Sequence, residues 1–143
     1  MATEIPREHV LGNFKPSKSA RLKAKRTKKP AAAKRPGMSE DHLVDVRKLP
    51  CCACLKVPSG EAHHLKNGTN ERGAGMRSTD KWAVPLCRDH HEEIERVGSR
   101  NEPAQFEKWG FDDALQLASD LWRSRGDVPK MTLIVLAHRR ACR

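Results

Sequence analysis

The feature that most constrains this chain is a pair of ligand turns, Cys51-Cys52-Ala53-Cys54 and Cys87-Arg88-Asp89-His90, at the two ends of one segment. A two-residue gap lets two soft side chains grip one tetrahedral ion from a tight turn. The segment from Cys51 to Glu95 is therefore expected to close on itself, with Cys51, Cys54, Cys87 and His90 holding a structural Zn2+. Three histidines then remain, His63, His64 and His91, which a closed zinc site does not need. A second, catalytic site is their natural use. The N-terminus, with Glu4, Pro6, Arg7 and Glu8, lacks the apolar core of a secretory signal. Five cysteines in such a chain point to reduced thiols and metal rather than disulfides, and to a cytoplasmic location. Cys52 and Cys142 are left over, read as a packed small side chain and a free thiol. No apolar run of about 18 residues exists, so no membrane span is expected.

Charge divides the chain in two. Of the +10 formal charge on 143 residues, +9 falls in residues 1–37, where eleven Lys and Arg meet two Glu. Residues 15–36 add three prolines and only one large aliphatic, Leu22, too little apolar surface to offset the ordering entropy. We expect a disordered basic arm over 1–37, able to become helical on a polyanion, and a nearly neutral domain over 38–143. A block of Lys23, Lys25, Arg26, Lys28 and Lys29 favours nucleic acid, here DNA, as partner, through salt-sensitive contacts that carry no sequence readout.

Along the domain, Leu43, Val44, Val46 and Leu49 are available to pack before Pro50. Glu61 to Leu65 reads as a short strand, residues 66–80 as a long Gly-rich loop, and Trp82 to Leu86 as a second strand whose Pro85 suits an edge or an end. Arg88 to Val97 reads as a helix stopped by Gly98. On it His91 and Glu95 are four apart and share a face, which makes Glu95 a further ligand candidate. Asn101 or Glu102 begins a helix that buries Phe106 and Trp109. Asp112 caps another through Arg125, with Leu115, Ala118, Leu121 and Trp122 on one face. Met131 to Ala137 fits strand or helix; the run without a breaker into His138, Arg139 and Arg140 favours helix.

The HH…CxxHH arrangement, the loop with GAGMRSTD and the following VPLCRDHHEEIERVG resemble HNH (ββα-metal) endonucleases, and more narrowly phage recombination-enhancement (Ref-type) nucleases and related phage HNH proteins. The likeness covers about residues 47–126. It implies an α+β fold: a small zinc-stabilised ββα-metal core, HNH or treble-clef-like, with added C-terminal helices behind the arm. It further implies that His63 and His91 ligate a catalytic divalent metal, Mg2+ or Mn2+, and that His64 is the general base. The family's usual middle Asn is missing here, and Asp80 is the nearest polar stand-in to orient the base. A recombinase-DNA filament is a partner implied by the resemblance alone.

Chemistry reaches the same place from the residues. Phosphodiester hydrolysis needs a deprotonated water and positive charge on the pentavalent state, which a metal with an open position and an imidazole base supply. Arg77 and Lys81 flank the loop as phosphate clamps. Neighbours on a regular strand face opposite ways, so His63 and His64 share a site only where the strand bends or ends. The rival expectation is a non-catalytic zinc module that binds nucleic acid.

Overall fold

The computed structural model describes residues 35–71 and 76–139. The arm residues Lys23, Lys25, Arg26, Lys28 and Lys29, and Cys142, lie outside the described residues. Within them the chain runs α1 (Glu40–Lys48), β1 (Glu61–His64), β2 (Ala83–Leu86), α2 (Arg88–Val97), α3 (Glu102–Lys108), α4 (Ala114–Arg123) and α5 (Val128–His138), with a single 3-10 turn at Asp80–Trp82. The fold is α+β, and its two strands pair antiparallel with His63 opposite Val84 and His64 opposite Ala83.

The helix ends are set by side chains that satisfy otherwise orphaned amides. Ser39 caps α1 by accepting from the His42 N–H, Asp113 caps α4 from Gln116, and Asp127 caps α5 from Lys130. Each such cap is worth about 1 kcal/mol. The α4 cap is thus Asp113 rather than Asp112, because only the residue directly before the first turn can reach the third amide. Gly98 ends α2 at φ 83, a left-handed value that costs glycine nothing. At Gly68, φ is +76 and a Cβ would come within 2.8 Å of the movable Leu115 Cδ1, so backbone conformation is what favours glycine there.

Helix α1 was not foreseen. Its buried face is His42, Leu43 and Val46, while Val44, expected to pack, is exposed, since it lies about 100° round the helix from its neighbours. The core joins Val46 and Leu49 to Leu65, Val84, Leu86, Ile94, Phe106, Phe111, Leu117, Leu121, Met131 and Val135, with Cys52 buried among them. Pro85 is accommodated opposite Ala62 in the two-stranded ladder. Trp82, Trp109 and Trp122 pack against the protein but remain partly exposed. No described helix is long and apolar enough to cross a membrane. The net result is a short hairpin and α2 held against the C-terminal helices, with Cys51 and Cys87 at one end of that unit and His63 and His91 beside it.

Candidate metal centres

Cys51 to Leu55 folds back on itself, with the Leu55 N–H donating to Cys51 O and the Cys51 N–H to Lys56 O, both at 2.9 Å. Cys87 is the N-cap of α2, which puts His90 in that helix's first turn. The two turns meet. Cys51 Sγ lies 3.8 Å from His90 Nδ1, Cys54 Sγ 3.8 Å from Cys87 Sγ, and Cys87 Sγ 3.0 Å from His90 Nδ1. A tetrahedral ion with Zn–S bonds of about 2.3 Å requires ligand separations of about 3.5 to 3.8 Å; two of these separations match and the Cys87–His90 one is shorter, so the four side chains could hold zinc with small movements. All four ligand atoms lie within 4.8 Å of one another.

The charge state argues the same way. Burial pushes the Cys51 thiol up to about 11, so a lone thiolate is disfavoured there, and a divalent cation is what turns such a thiol into a thiolate. At exposed Cys54 what burial there is works upward, but the Lys56 N–H and the Cys51 and Cys87 thiols outweigh it and lower the pKa. Trp109 meets His90 edge-on at 5.5 Å and Phe106 at 5.3 Å, which ties this cluster to α3.

A second group stands on the α2 side of β1. Ligand atoms of His63, His91 and Glu95 lie within 4.8 Å of one another. Glu95 Oε1 is 3.6 Å from His63 Nδ1 and 3.9 Å from His91 Nε2, slightly wider than the roughly 3 to 3.5 Å expected around an ion with bonds near 2.1 Å. A divalent ion therefore fits with small movements. The His63 and His91 rings stand edge to face, centroids 5.0 Å apart. His63 is buried, whereas His91 and Glu95 border an open cleft lined also by Glu61, Arg88, Glu92 and Arg96. Lys66 ion-pairs with Glu95, and this bond is the main cause of the lowered Glu95 pKa.

Consecutive residues feed different places. His90 and His91, about 100° apart on α2, serve the two clusters separately. His63 and His64 alternate across β1, and His64 is not among the grouped ligands. Instead its Nε2 lies 2.8 Å from Asp80 Oδ1, while Asp80 Oδ2 accepts from the Ser39 N–H at 2.8 Å. Asp80 is buried, so the expected partner of His64 is in contact with it and is itself fixed to the start of α1. Arg77 is exposed on a hollow with Arg35, Met38, Ser39, Glu40 and Asp80. The Lys81 ammonium lies 4.5 Å above the Trp82 ring.

Two carboxylates were missed. Glu61 Oε2 sits 2.5 Å from His91 Nδ1. Glu61 is two residues before His63 on a strand, so period-two alternation places both on one face, a signal present in the sequence. Glu102, almost fully buried, has Oε1 2.8 Å from His63 Nε2, and its Oε2 accepts the N–H groups of Lys66 and Asn67 at 2.8 and 2.7 Å. Burial alone would raise its pKa; the donors from His63, Asn67 and Lys66 outweigh that and hold it below the usual carboxylate value. No local pattern ties Glu102 to a strand 39 residues earlier.

Comparison with known proteins adds a family and no activity. The sequence profile described as "Protein of unknown function (DUF968)" matches residues 26–117, which include every ligand in both clusters. A protein of Escherichia coli strain K12 described as "Uncharacterized protein YdfU" is 42% identical over 43 residues, or 30% of this chain and 12% of that protein. The match thus spans about an eighth of that relative's length. No solved structure matches.

Proposed function

We propose that this chain, which belongs to the family described as protein of unknown function (DUF968), is a metal-dependent DNA endonuclease of the HNH, ββα-metal kind. The observation that carries the reading is the coexistence of two unlike ligand groups around one hairpin and helix: a Cys3His cluster whose ligand atoms all lie within 4.8 Å of one another, and a His63–His91–Glu95 group at an open cleft. A module built only to bind has use for the first and none for the second.

In this reading Cys51, Cys54, Cys87 and His90 hold structural zinc, and His63, His91 and Glu95 hold the second ion. That ion, when bound, supplies Lewis acidity and positive charge to the scissile phosphate. Two imidazoles suit Mn2+ or a later transition ion better than Mg2+, which prefers oxygen ligands. His64 takes the proton from the attacking water, and Asp80 fixes which ring nitrogen of His64 is free to do so. His64 is the last residue of β1, directly after the ligand His63, so the scissile phosphodiester would be taken up at that strand end. Arg77 contacts a neighbouring phosphate, and the basic residues of the arm add salt-dependent affinity.

The rival is the non-catalytic zinc module, and a specific observation favours it: His64 is paired with Asp80 and is not among the grouped ligands. One experiment separates them. The full-length protein is incubated with supercoiled and with single-stranded DNA across Mg2+, Mn2+, Co2+ and Ni2+, beside His64→Ala. We expect metal-dependent cleavage by the wild type and a loss of about two to four orders of magnitude in His64→Ala, with metal content and DNA affinity unchanged. Binding without cleavage in every ion establishes the rival.

A further inference from the structure

We infer that Glu102 is a positioning residue which sets the tautomer of His63, so that this histidine offers Nδ1, and not Nε2, to a divalent ion. The inference rests on the second metal group of the reading above and is independent of what substrate that group acts on.

Hydrogen-bond accounting leads to it. Glu102 Oε2 accepts two backbone N–H groups, from Lys66 and Asn67, an arrangement that suits an ionised carboxylate, which has acceptors and no donor. Oε1, 2.8 Å from His63 Nε2, must then be met by a donor, so the ring hydrogen belongs on Nε2. A neutral imidazole carries one hydrogen, which leaves the lone pair on Nδ1. Nδ1 is the nitrogen that faces Glu95 Oε1 at 3.6 Å. His63 is about 1% exposed and Glu102 about 3%, so neither can turn to water for an alternative partner.

The second histidine is arranged in the opposite sense. His91 has Nδ1 against Glu61 and Nε2 toward Glu95. The two histidines thus use different nitrogens, each backed by its own carboxylate, an outer-shell arrangement that orients a ligand and raises its basicity. Glu102 differs from Glu61 in coming from α3 and in holding the chain just beyond β1 with its second oxygen. A single buried carboxylate thereby locks the strand end and the ligand nitrogen together.

Glu102→Gln gives a test with a definite sign. The amide oxygen can still satisfy the Lys66 and Asn67 donors, which leaves the NH2 facing His63 Nε2. That forces the hydrogen onto Nδ1 and blocks it as a ligand. Zinc-loaded, 15N-labelled full-length protein should show His63 as the Nε2–H tautomer in wild type and as Nδ1–H in Glu102→Gln, read by long-range 1H–15N correlation. Mn2+ affinity at the second group, measured by calorimetry without DNA, should fall about 10- to 100-fold. A wild-type His63 in the Nδ1–H form, or an unchanged Mn2+ affinity in a folded Glu102→Gln, overturns the assignment. Should the variant not fold, the wild-type tautomer still decides. Correct tautomers and Mn2+ binding without any DNA cleavage would leave this inference standing and remove the nuclease reading.

Discussion

The two ligand groups differ in how much of the protein depends on them. Cys51 and Cys87 are buried within the hydrophobic core, and their group joins the turn after α1 to the start of α2. His63, His91 and Glu95 grade from buried to exposed, and their order is maintained by carboxylates rather than by packing alone: Glu102 behind His63, Glu61 behind His91. The first group is the kind that a small domain folds around. The second is the kind that can be vacated and refilled without disturbing the core. Sharing α2, they show how one helix turn can carry a structural and a chemical duty on adjacent residues.

The largest expected effect breaks the comparison outright if it fails. Cys54 is exposed, so Cys54→Ser removes almost no packing and acts only through the ion. Structural zinc binding is worth about 10 to 16 kcal/mol, against a total stability of about 5 to 15 kcal/mol for a domain. We expect Cys54→Ser to be zinc-poor by elemental analysis and without a cooperative melt. His91→Ala should melt within about 1 kcal/mol of wild type, because its ring is partly exposed, yet lose Mn2+ binding. Equal destabilisation by both substitutions would mean that the two groups do the same job.

What the sequence disclosed follows the same division. Cys51, Cys54, Cys87 and His90 were legible because both pairs are local turns whose spacing is itself the geometry. His91 and Glu95 were legible from helical spacing, and Gly98 from its place after the last charged turn. The carboxylates were not equally visible: Glu61 could have been read from strand alternation, but Glu102 belongs to His63 only through the packing of α3 on α2. Helix α1 was hidden because its residues were read only as apolar side chains available to pack before Pro50, with no secondary structure assigned, although Ser39 followed by Glu40 and Asp41 is a sound helix start. Asp80 was named for its position before β2, and its contact with His64 depends on a 3-10 turn that no pattern announced.

An intermediate effect must be subtracted before acid can be used to compare the groups. His42 is buried against Trp122, ring centroids 5.0 Å apart, and neither of its nitrogens finds a partner among the described residues. Burial lowers its pKa from 6.5 to about 4. The folded protein therefore keeps His42 neutral while the unfolded chain takes up a proton. Stability is complete above pH 6.5 and declines as pH falls toward 4, by about 2 kcal/mol at pH 5 and about 3 kcal/mol at the lower end. Urea unfolding of zinc-loaded protein at pH 7.5 and pH 5 should show His42→Leu losing about 2 kcal/mol less than wild type. If both lose the same amount, the acid sensitivity belongs to the zinc ligands instead.

The smallest effect has the least intuitive sign. In the second group a cation of the protein itself competes for a ligand: the Lys66 ammonium is paired with Glu95, while Glu95 also faces both histidines. An ion that takes Glu95 must first displace Lys66, and both partners are substantially exposed, 32% and 46% at their side chains, so the pair is worth only about 0.2 to 1 kcal/mol. Removing the competitor should therefore strengthen metal binding: Lys66→Met is expected to bind Mn2+ about 1.5- to 5-fold more tightly in a titration without DNA, with zinc content unchanged. The Lys66 backbone N–H still reaches Glu102 in this variant, so the positioning of His63 is preserved. Weaker Mn2+ binding by Lys66→Met would show that Lys66 orders Glu95 for the ion rather than contesting it, and the second group would then be as pre-formed as the first.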